Sequence, residues 1–282
     1  MPLPGRTRPS ATRPTSLQWG EDGHWREPKY DCHLSGGLQL PEFFPVPAKA
    51  SLFGSKNLPV PCGQGNRPQG AESAVRKNAR QARKTGEVIL AAIGRVKAAN
   101  PDARYCCDPV IGNRARGEFV RPGIAAFMRE RAVPAAQVVT PNHFELDRLA
   151  GRETRSLADI LSAIDHIHSR GPRAVLVTSV RSDATPDGSL DIIASDSNGR
   201  HLVRTPRLAT PANGAGDLIA ALFFLHYLRG GVAPEALARA TSSVFGLLRR
   251  TRDAGASEIA LIAAQDELAT PSETFTPVRI GL

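Results

Sequence analysis

The stretch from Thr210 to Gly231 reads TPANGAGDLIAALFFLHYLRGG, and its residue types suit work on a phosphate. Gly214 and Gly216 flank Ala215 directly before Asp217, and an apolar run from Leu218 to Leu225 follows. Glycine lets the backbone bend sharply and puts no side chain between the chain and a ligand. The spacing predicts a turn feeding a buried helix, whose first amides have no partner within the helix and, with the helix dipole, favour an anion. Asp217 is a second, separate signal. It either caps that helix or accepts a proton from a hydroxyl that attacks a phosphate held by the amides.

Three further positions carry candidate chemistry. Asp108 follows the segment Arg104 to Cys107, Asn142 and Glu145 follow Gln137 to Thr140, and Thr178 lies near the end of Ala174 to Val180. Asn142 and Glu145 are three residues apart, so on a helix they share a face, where an amide and a carboxylate can organise water around Mg²⁺. Each of Asn142 and Asp108 also suits the plainer role of capping a helix or turn.

The elements that must position these residues can be read from periodicity. GEVILAAIGRVKAAN, from Gly86, predicts a helix with Val88, Ile89, Ala92, Ile93 and Val96 on one stripe, ended by Asn100-Pro101. Short buried strands are expected at Arg104–Cys107 and Gln137–Thr140, and a strongly β-prone one at Ala174–Val180. Between them fall a helix started by Pro122, a helix from Asn142 to Ala150 ending at Gly151, and an amphipathic helix over Leu157–Ser169. Alternating strand and helix predicts an α/β fold, a mostly parallel central sheet with helices on both faces. In such a sheet ligands bind outside the carboxyl ends of the strands, where Asp108, Asn142, Glu145 and Thr178 fall. Two shorter strands, Leu190–Ala194 and His201–Thr205, are expected to turn at Ser197-Asn198-Gly199. Helices over Pro234–Arg250 and Glu258–Ala269 follow, then a surface tail.

Of the formal net charge of +9, residues 1–84 supply +7, from 13 Lys and Arg against 6 Asp and Glu. The basic excess therefore belongs to one end of the chain and not to a folded nucleic-acid-binding face. Residues 1–70 also hold 11 of the 23 prolines and 9 of the 25 glycines, and both tryptophans, Trp19 and Trp25. Such a composition fails to bury enough surface to offset chain entropy, and a disordered or aberrant segment is expected over 1–84. The run Arg76, Lys77, Arg80, Arg83 and Lys84 reads as a solvated charge run. Cys32, Cys62, Cys106 and Cys107 show neither metal-ligand spacing nor a disulfide framework, which suits a reducing compartment. No apolar run spans a bilayer and no secretory pattern opens the chain, so a cytoplasmic location without membrane partner is expected. His166 and His168 lie on different helical faces and form no ligand pair, and His143 is expected at the surface.

The segments CDPVIGN (Cys107 to Asn113), VVTPNHFELDRLAG (Val138 to Gly151), VLVTSV (Val175 to Val180) and NGAGDLIAALF (Asn213 to Phe223) resemble the motifs of the ribokinase-like superfamily, most closely its pyridoxal kinase branch. The resemblance covers about Gly86 to Ala269. It implies a kinase domain over 85–282 that transfers phosphate from ATP to the 5′-hydroxymethyl group of pyridoxal, with Mg²⁺ and a homodimeric assembly. Asp217 would match the catalytic base, and the amides of Gly214, Ala215 and Gly216 would match the anion hole. Asn142 and Glu145 would organise Mg²⁺ and the ATP phosphates. Asp108, Thr140 and Thr178 would fall on nucleotide-site positions, and Leu202, Val203, Arg204 and Thr205 would lie beside the adenine. Thr178 departs from the lysine common among close relatives. A related pyrimidine-kinase branch shares the DPV and TPN motifs but usually has Cys at the position of Asp217. Residues 1–84 match nothing in the family's first strands or its pyridine-holding side chains, so the fold is expected to be incomplete at the amino terminus. Two alternatives to the pyridoxal kinase stand: a hydroxymethylpyrimidine kinase, or a non-catalytic kinase-like protein lacking the substrate half.

Overall fold

The computed structural model describes residues 69–281 apart from 211 and 212, with side chains from residue 83, and two short strands nearer the amino terminus. Those strands, β1 (Gln18–Trp19) and β2 (Trp25–Arg26), pair antiparallel with Trp19 opposite Trp25. They belong to a unit spanning Met1–Val46, and all later elements belong to a second unit, Pro47–Leu282. Cys32, Cys62 and the rest of the segment expected to be disordered as far as residue 68 lie outside the described residues.

The first described element of the second unit is α1 (Gln69–Ala99), which crosses residues 84 and 85 without a break. Its buried face differs from the expected stripe. Leu90 and Ile93 pack on the core, whereas Val88 and Val96 are 68% and 57% exposed. The reason lies at Gly86, which is buried where a Cβ would run into the Phe127 ring. That close approach turns the helix so that Gly86, Leu90, Ile93 and Lys97 face inward, a spacing of four, three and four. Lys97 ends the face by donating to the Ala135 carbonyl at 2.7 Å.

After α1 come β3 (Cys106–Cys107), the small hairpin β4 (Gly112–Asn113) and β5 (Gly117–Glu118), and α2 (Ile124–Phe127), a π turn (Met128–Ala132) and α3 (Val133–Ala135) in one continuous run. β6 (Val138–Val139), α4 (His143–Ala150), α5 (Leu157–His168) and β7 (Ala174–Val180) follow. β8 (Ser189–Asp196) and β9 (Gly199–Pro206) form the expected hairpin, with Asp196 Oδ1 accepting from the Asn198 N–H in the turn. Then come α6 (Ala215–Gly230), α7 (Ala233–Asp253), α8 (Asp266–Ala269) and β10 (Val278–Ile280).

The main sheet has the order β10-β9-β8-β7-β6-β3. β3, β6 and β7 run parallel in a common register, Cys107 beside Val139 and Val139 beside Val175. β8, β9 and β10 extend it as an antiparallel ribbon. One face is covered by α1, α2, α4 and α5 through Leu90, Phe127, Leu146, Leu149, Ile160 and Ile164, the other by α6 and α7 through Phe223, Leu237 and Ala240. The α/β architecture with helices on both faces is the expected one. Adjacent Cys106 and Cys107 belong to opposite faces, as strand alternation requires.

The carboxyl-terminal third departs from expectation in three places. The helix expected over Glu258–Ala269 is confined to α8, because Glu258 bridges Asn213 and the Thr251 hydroxyl holds the Ala260 N–H, which keeps that stretch extended. The expected tail is instead part of the fold: β10 pairs with β9, and Phe275 packs edge-on against Phe245 with ring centroids 5.0 Å apart. α6, expected to be buried, buries only Ile219, Ala220 and Phe223 of its apolar run, while Leu218, Leu222 and Leu225 stay partly exposed.

Candidate active site

The parallel strands end together, and their ends carry the candidate residues. Asp108 lies one residue beyond β3, and its Oδ1 accepts the Thr140 hydroxyl at 3.0 Å from just beyond β6. Thr140 itself is buried, its N–H donating to the Cys107 carbonyl. Two adjacent strand ends are thus tied side chain to side chain. β7 continues past them to Thr178, whose N–H donates to the Pro141 carbonyl at 3.0 Å and which bridges Asn142 in parallel. Ser179 then adopts φ 54°, a left-handed conformation rare outside glycine, at an irregularity in the β7–β8 register.

Asn142 is the N-cap of α4. Its Oδ1 accepts from the Glu145 N–H at 3.0 Å, and Glu145 Oε2 accepts from the Asn142 N–H at 2.8 Å, which completes a capping box. Each side chain also reaches the DPVIGN loop. Asn142 Nδ2 donates to the Gly112 carbonyl at 2.8 Å, and Glu145 Oε1 accepts from the Ile111 N–H at 2.9 Å. Burial raises the Glu145 carboxyl to about 7, with the Asp108 charge adding to the rise and the three backbone N–H groups opposing it. The plain capping role and the placement at the sheet mouth are therefore both realised. The spacing Asn-x-x-Glu signalled the cap, but nothing in the sequence signalled the Ile111 and Gly112 partners.

At α6, Gly214 is the N-cap with φ 95°, which a side chain would strain. Gly216 is different: a Cβ there would meet nothing within 4 Å among the described residues, so none of them requires glycine. Asp217 occupies the first turn, and Gly214, Gly216 and Asp217 are all exposed. The Asn213 N–H donates to the Ser257 carbonyl at 3.2 Å and anchors the turn. The helix thus begins at an exposed glycine turn with an exposed carboxylate in its first turn. Among the four residues expected beside the adenine, Val203 and Thr205 are buried, Val203 against Leu237 and Ala240, while Arg204 sits on the opposite side of the strand. Arg204 there makes two hydrogen bonds to the buried Asp191 carboxylate, at 2.7 and 2.8 Å. Alternation along β9 divides Leu202–Thr205 between two faces.

His143 is a correction. Expected at the surface, it is 1% exposed, because the loop after β7 folds over it. Its Nδ1 accepts from the Arg181 N–H at 3.2 Å, and its Nε2 lies 2.8 Å from Thr154 Oγ1. Thr154 in turn donates its hydroxyl to Asp147 Oδ1 at 2.7 Å.

This geometry is accompanied by a family likeness. Residues 70–261 match the family model described as phosphomethylpyrimidine kinase. The pyridoxal kinase PdxY of Rubrobacter xylanophilus is 54% identical over 195 residues, 69% of this chain and 67% of that protein. The chain belongs to the pyridoxal kinase family. The pyridoxal kinase PdxY of Granulibacter bethesdensis is 50% identical over 194 residues, covering 67% of this chain and 68% of the relative. Among solved structures, the pyridoxal kinase of Leishmania donovani in complex with ADP and pyridoxine aligns with a TM-score of 0.57 at 27% identity, over 71% of this chain and 70% of that one. The pyridoxal kinase of Entamoeba histolytica aligns with a TM-score of 0.58 at 25% identity, over 69% of each chain. The family match begins within α1, sixteen residues before the start read from the motifs. Among the described residues no helix is long and apolar enough to cross a membrane.

Proposed function

We propose that this chain transfers the γ-phosphoryl group of ATP to the 5′-hydroxymethyl group of pyridoxal. The observation that carries the reading is the exposed amino terminus of α6, where no described residue would touch a Cβ at Gly216, one residue before the exposed Asp217. Its relatives at 45–54% identity are named pyridoxal kinases, which supports the choice of substrate.

In this reading the Asp217 carboxylate accepts the hydroxymethyl proton as the oxygen attacks phosphorus. The backbone N–H groups of Gly214, Ala215 and Gly216 stabilise the charge on the transferred group. Thr140 and Thr178 position the nucleotide phosphates beside Asp108, and the β9 segment Leu202–Thr205 flanks the adenine.

Mg²⁺ suits the residues at the sheet mouth. Among the described residues no three His, Cys, Asp or Glu side chains converge on a metal site, so a protein cage is not on offer. Two carboxylates near enough for the Asp108 charge to raise Glu145, with the Asn142 amide beside them, match a hard cation that keeps its water and takes phosphate oxygens. Asn142 and Glu145, with Asp108, would hold it. The ion supplies neutralisation of phosphate charge when bound. The kinase domain occupies 85–282, works in the cytoplasm and pairs as a homodimer. Family membership supports this reading.

A second reading rests on one observation: the two curated relatives above are matched over 67% and 68% of their length. The chain is then a nucleotide-binding kinase homologue without turnover. The test is ATP- and Mg²⁺-dependent phosphorylation of pyridoxal by the purified chain, with hydroxymethylpyrimidine as a parallel substrate and Asp217→Asn as control. Turnover of pyridoxal that falls by about 10²-fold or more in Asp217→Asn supports the kinase. A folded chain that binds ATP without turnover supports the second reading, and preference for the pyrimidine overturns the substrate.

A further inference from the structure

The segment that leaves β7 is held in an unusual conformation, and one buried side chain outside the sites above does much of the holding. Ser179 is the only non-glycine residue with positive φ among the described residues. Such a conformation persists only where its surroundings over-determine it. Three links fix the segment from one side: the Thr178 N–H to the Pro141 carbonyl, the bridge between Thr178 and Asn142, and the Arg181 N–H to His143 Nδ1. The first two lie before Ser179 and the third lies after it. On the far side of the strained residue His143 is the clamp from α4, beside the pairing of Val180 with Asp191 in β8.

The imidazole is itself held in one orientation. With Nδ1 accepting from Arg181, a neutral ring carries its proton on Nε2, which lies 2.8 Å from Thr154 Oγ1 and 3.3 Å from Arg114 Nη2, and the Thr154 hydroxyl passes on to Asp147 Oδ1. Asp147 Oδ1 also accepts the Thr154 N–H at 3.0 Å, and the Arg114 guanidinium lies 4.0 Å from Oδ2. The chain Asp147–Thr154–His143–Arg181 thus runs from the middle of α4 to the backbone beyond β7. The side chains of Asp147, Thr154 and His143 are buried, and Arg181 takes part through its backbone alone. Farther along the same loop, Thr185 donates to the buried Asp191 carboxylate, and Arg204 donates to the Ala184 carbonyl at 3.0 Å. The loop is gripped at both ends.

We infer that His143 is a positioning residue for the nucleotide: it fixes the Thr178–Arg181 backbone so that the Thr178 hydroxyl meets the phosphates. This inference rests on the kinase reading. A hydroxyl at Thr178 is short and neutral, so its contribution depends on its placement more than a long cationic side chain's would. His143 touches neither substrate nor nucleotide in this scheme. It acts through the Arg181 amide.

The test compares wild type with His143→Leu, which removes the acceptor, and His143→Asn, whose amide oxygen can take the place of Nδ1. Steady-state KM for ATP, KM for pyridoxal and kcat are measured for each, together with ADP affinity by calorimetry and thermal unfolding. For His143→Leu the expected result is a rise of about tenfold in KM for ATP and in the ADP Kd, with KM for pyridoxal and kcat changed by less than about threefold. His143→Asn should recover most of the ADP affinity. Unchanged ADP affinity in a folded His143→Leu, beside a wild type that binds, overturns the inference while leaving the kinase reading intact. An equal loss in both KM values and kcat overturns it as well, since a purely structural role moves all three. A wild-type chain that binds no nucleotide overturns the kinase reading and the inference with it.

Discussion

The carboxylate of Glu145 accepts the backbone N–H of Ile111 at 2.9 Å, across 34 residues of sequence and from one side of the sheet mouth to the other. Glu145→Gln keeps the size of the side chain but replaces one acceptor oxygen with an NH₂ group that faces a backbone donor. Either the Asn142 N–H or the Ile111 N–H then loses its partner in a buried place. The expected cost is about 1–3 kcal/mol of stability, read from chemical denaturation of the purified variant.

The same residue gives the fold a pH dependence. Burial raises the folded Glu145 carboxyl from 4.5 to about 7, so the fold favours its protonated form. Its contribution is complete below the unfolded value of 4.5 and declines as pH rises through about 7. Stability should fall by at most about 3 kcal/mol over this window and then level off. Unfolding free energies taken at pH 5, 6, 7 and 8, in wild type and Glu145→Gln, check this: the slope should be shallower in the variant.

Gly214 and Gly216 should separate folding from function. Gly214→Ala places a side chain at φ 95° and should destabilise by about 1–2 kcal/mol. Gly216→Ala meets no neighbour and gains helix propensity, so its melting temperature should hold or rise. Yet the added methyl stands where a phosphate must approach the amides, and turnover should drop about tenfold or more. Equal turnover in Gly216→Ala and wild type would count against the α6 terminus as the anion site.

Gly246 on α7 is governed by crowding instead. A Cβ there would overlap the carboxylate of Glu267, which is 3% exposed and accepts the Ser272 N–H and hydroxyl at 2.8 and 3.0 Å. Gly246→Ala should cost about 1–3 kcal/mol. Glu267→Ala opens the space, so the double variant should lose less than the sum of the two singles. Thermal melts of all four proteins decide it.

Much of this architecture was legible in the residues. β7 has the bounds its run of β-branched residues predicts, the β8–β9 turn falls at Asn198, and Asn142 and Glu145 share a face as their spacing requires. What escaped was decided by distant partners. Periodicity points to the wrong face of α1 because one glycine admits the Phe127 ring, and it carries no record of a contact 41 residues away. The sequence points to a surface His143 because its cover, the loop beyond β7, comes from a stretch with no pattern of its own. β10 is three residues long, two of them exposed, and it exists because β9 offers an edge. Short strands follow their neighbours more than their own residues.

Gly112 donates its N–H towards Glu145 and its carbonyl accepts from Asn142, so two motifs separated by 30 residues meet at one residue. During folding that meeting can form only after β3 and β6 have found their register, since a slip of one residue turns every strand-end side chain to the wrong face. The mouth of the sheet is then a late event, assembled by long-range closure and not by local helix formation. On the kinase reading, nucleotide affinity and native topology become a single observable. A fluorescent ATP analogue added to refolding chain would act as a clock for the completed sheet, silent for every collapsed species that has its helices but not its register.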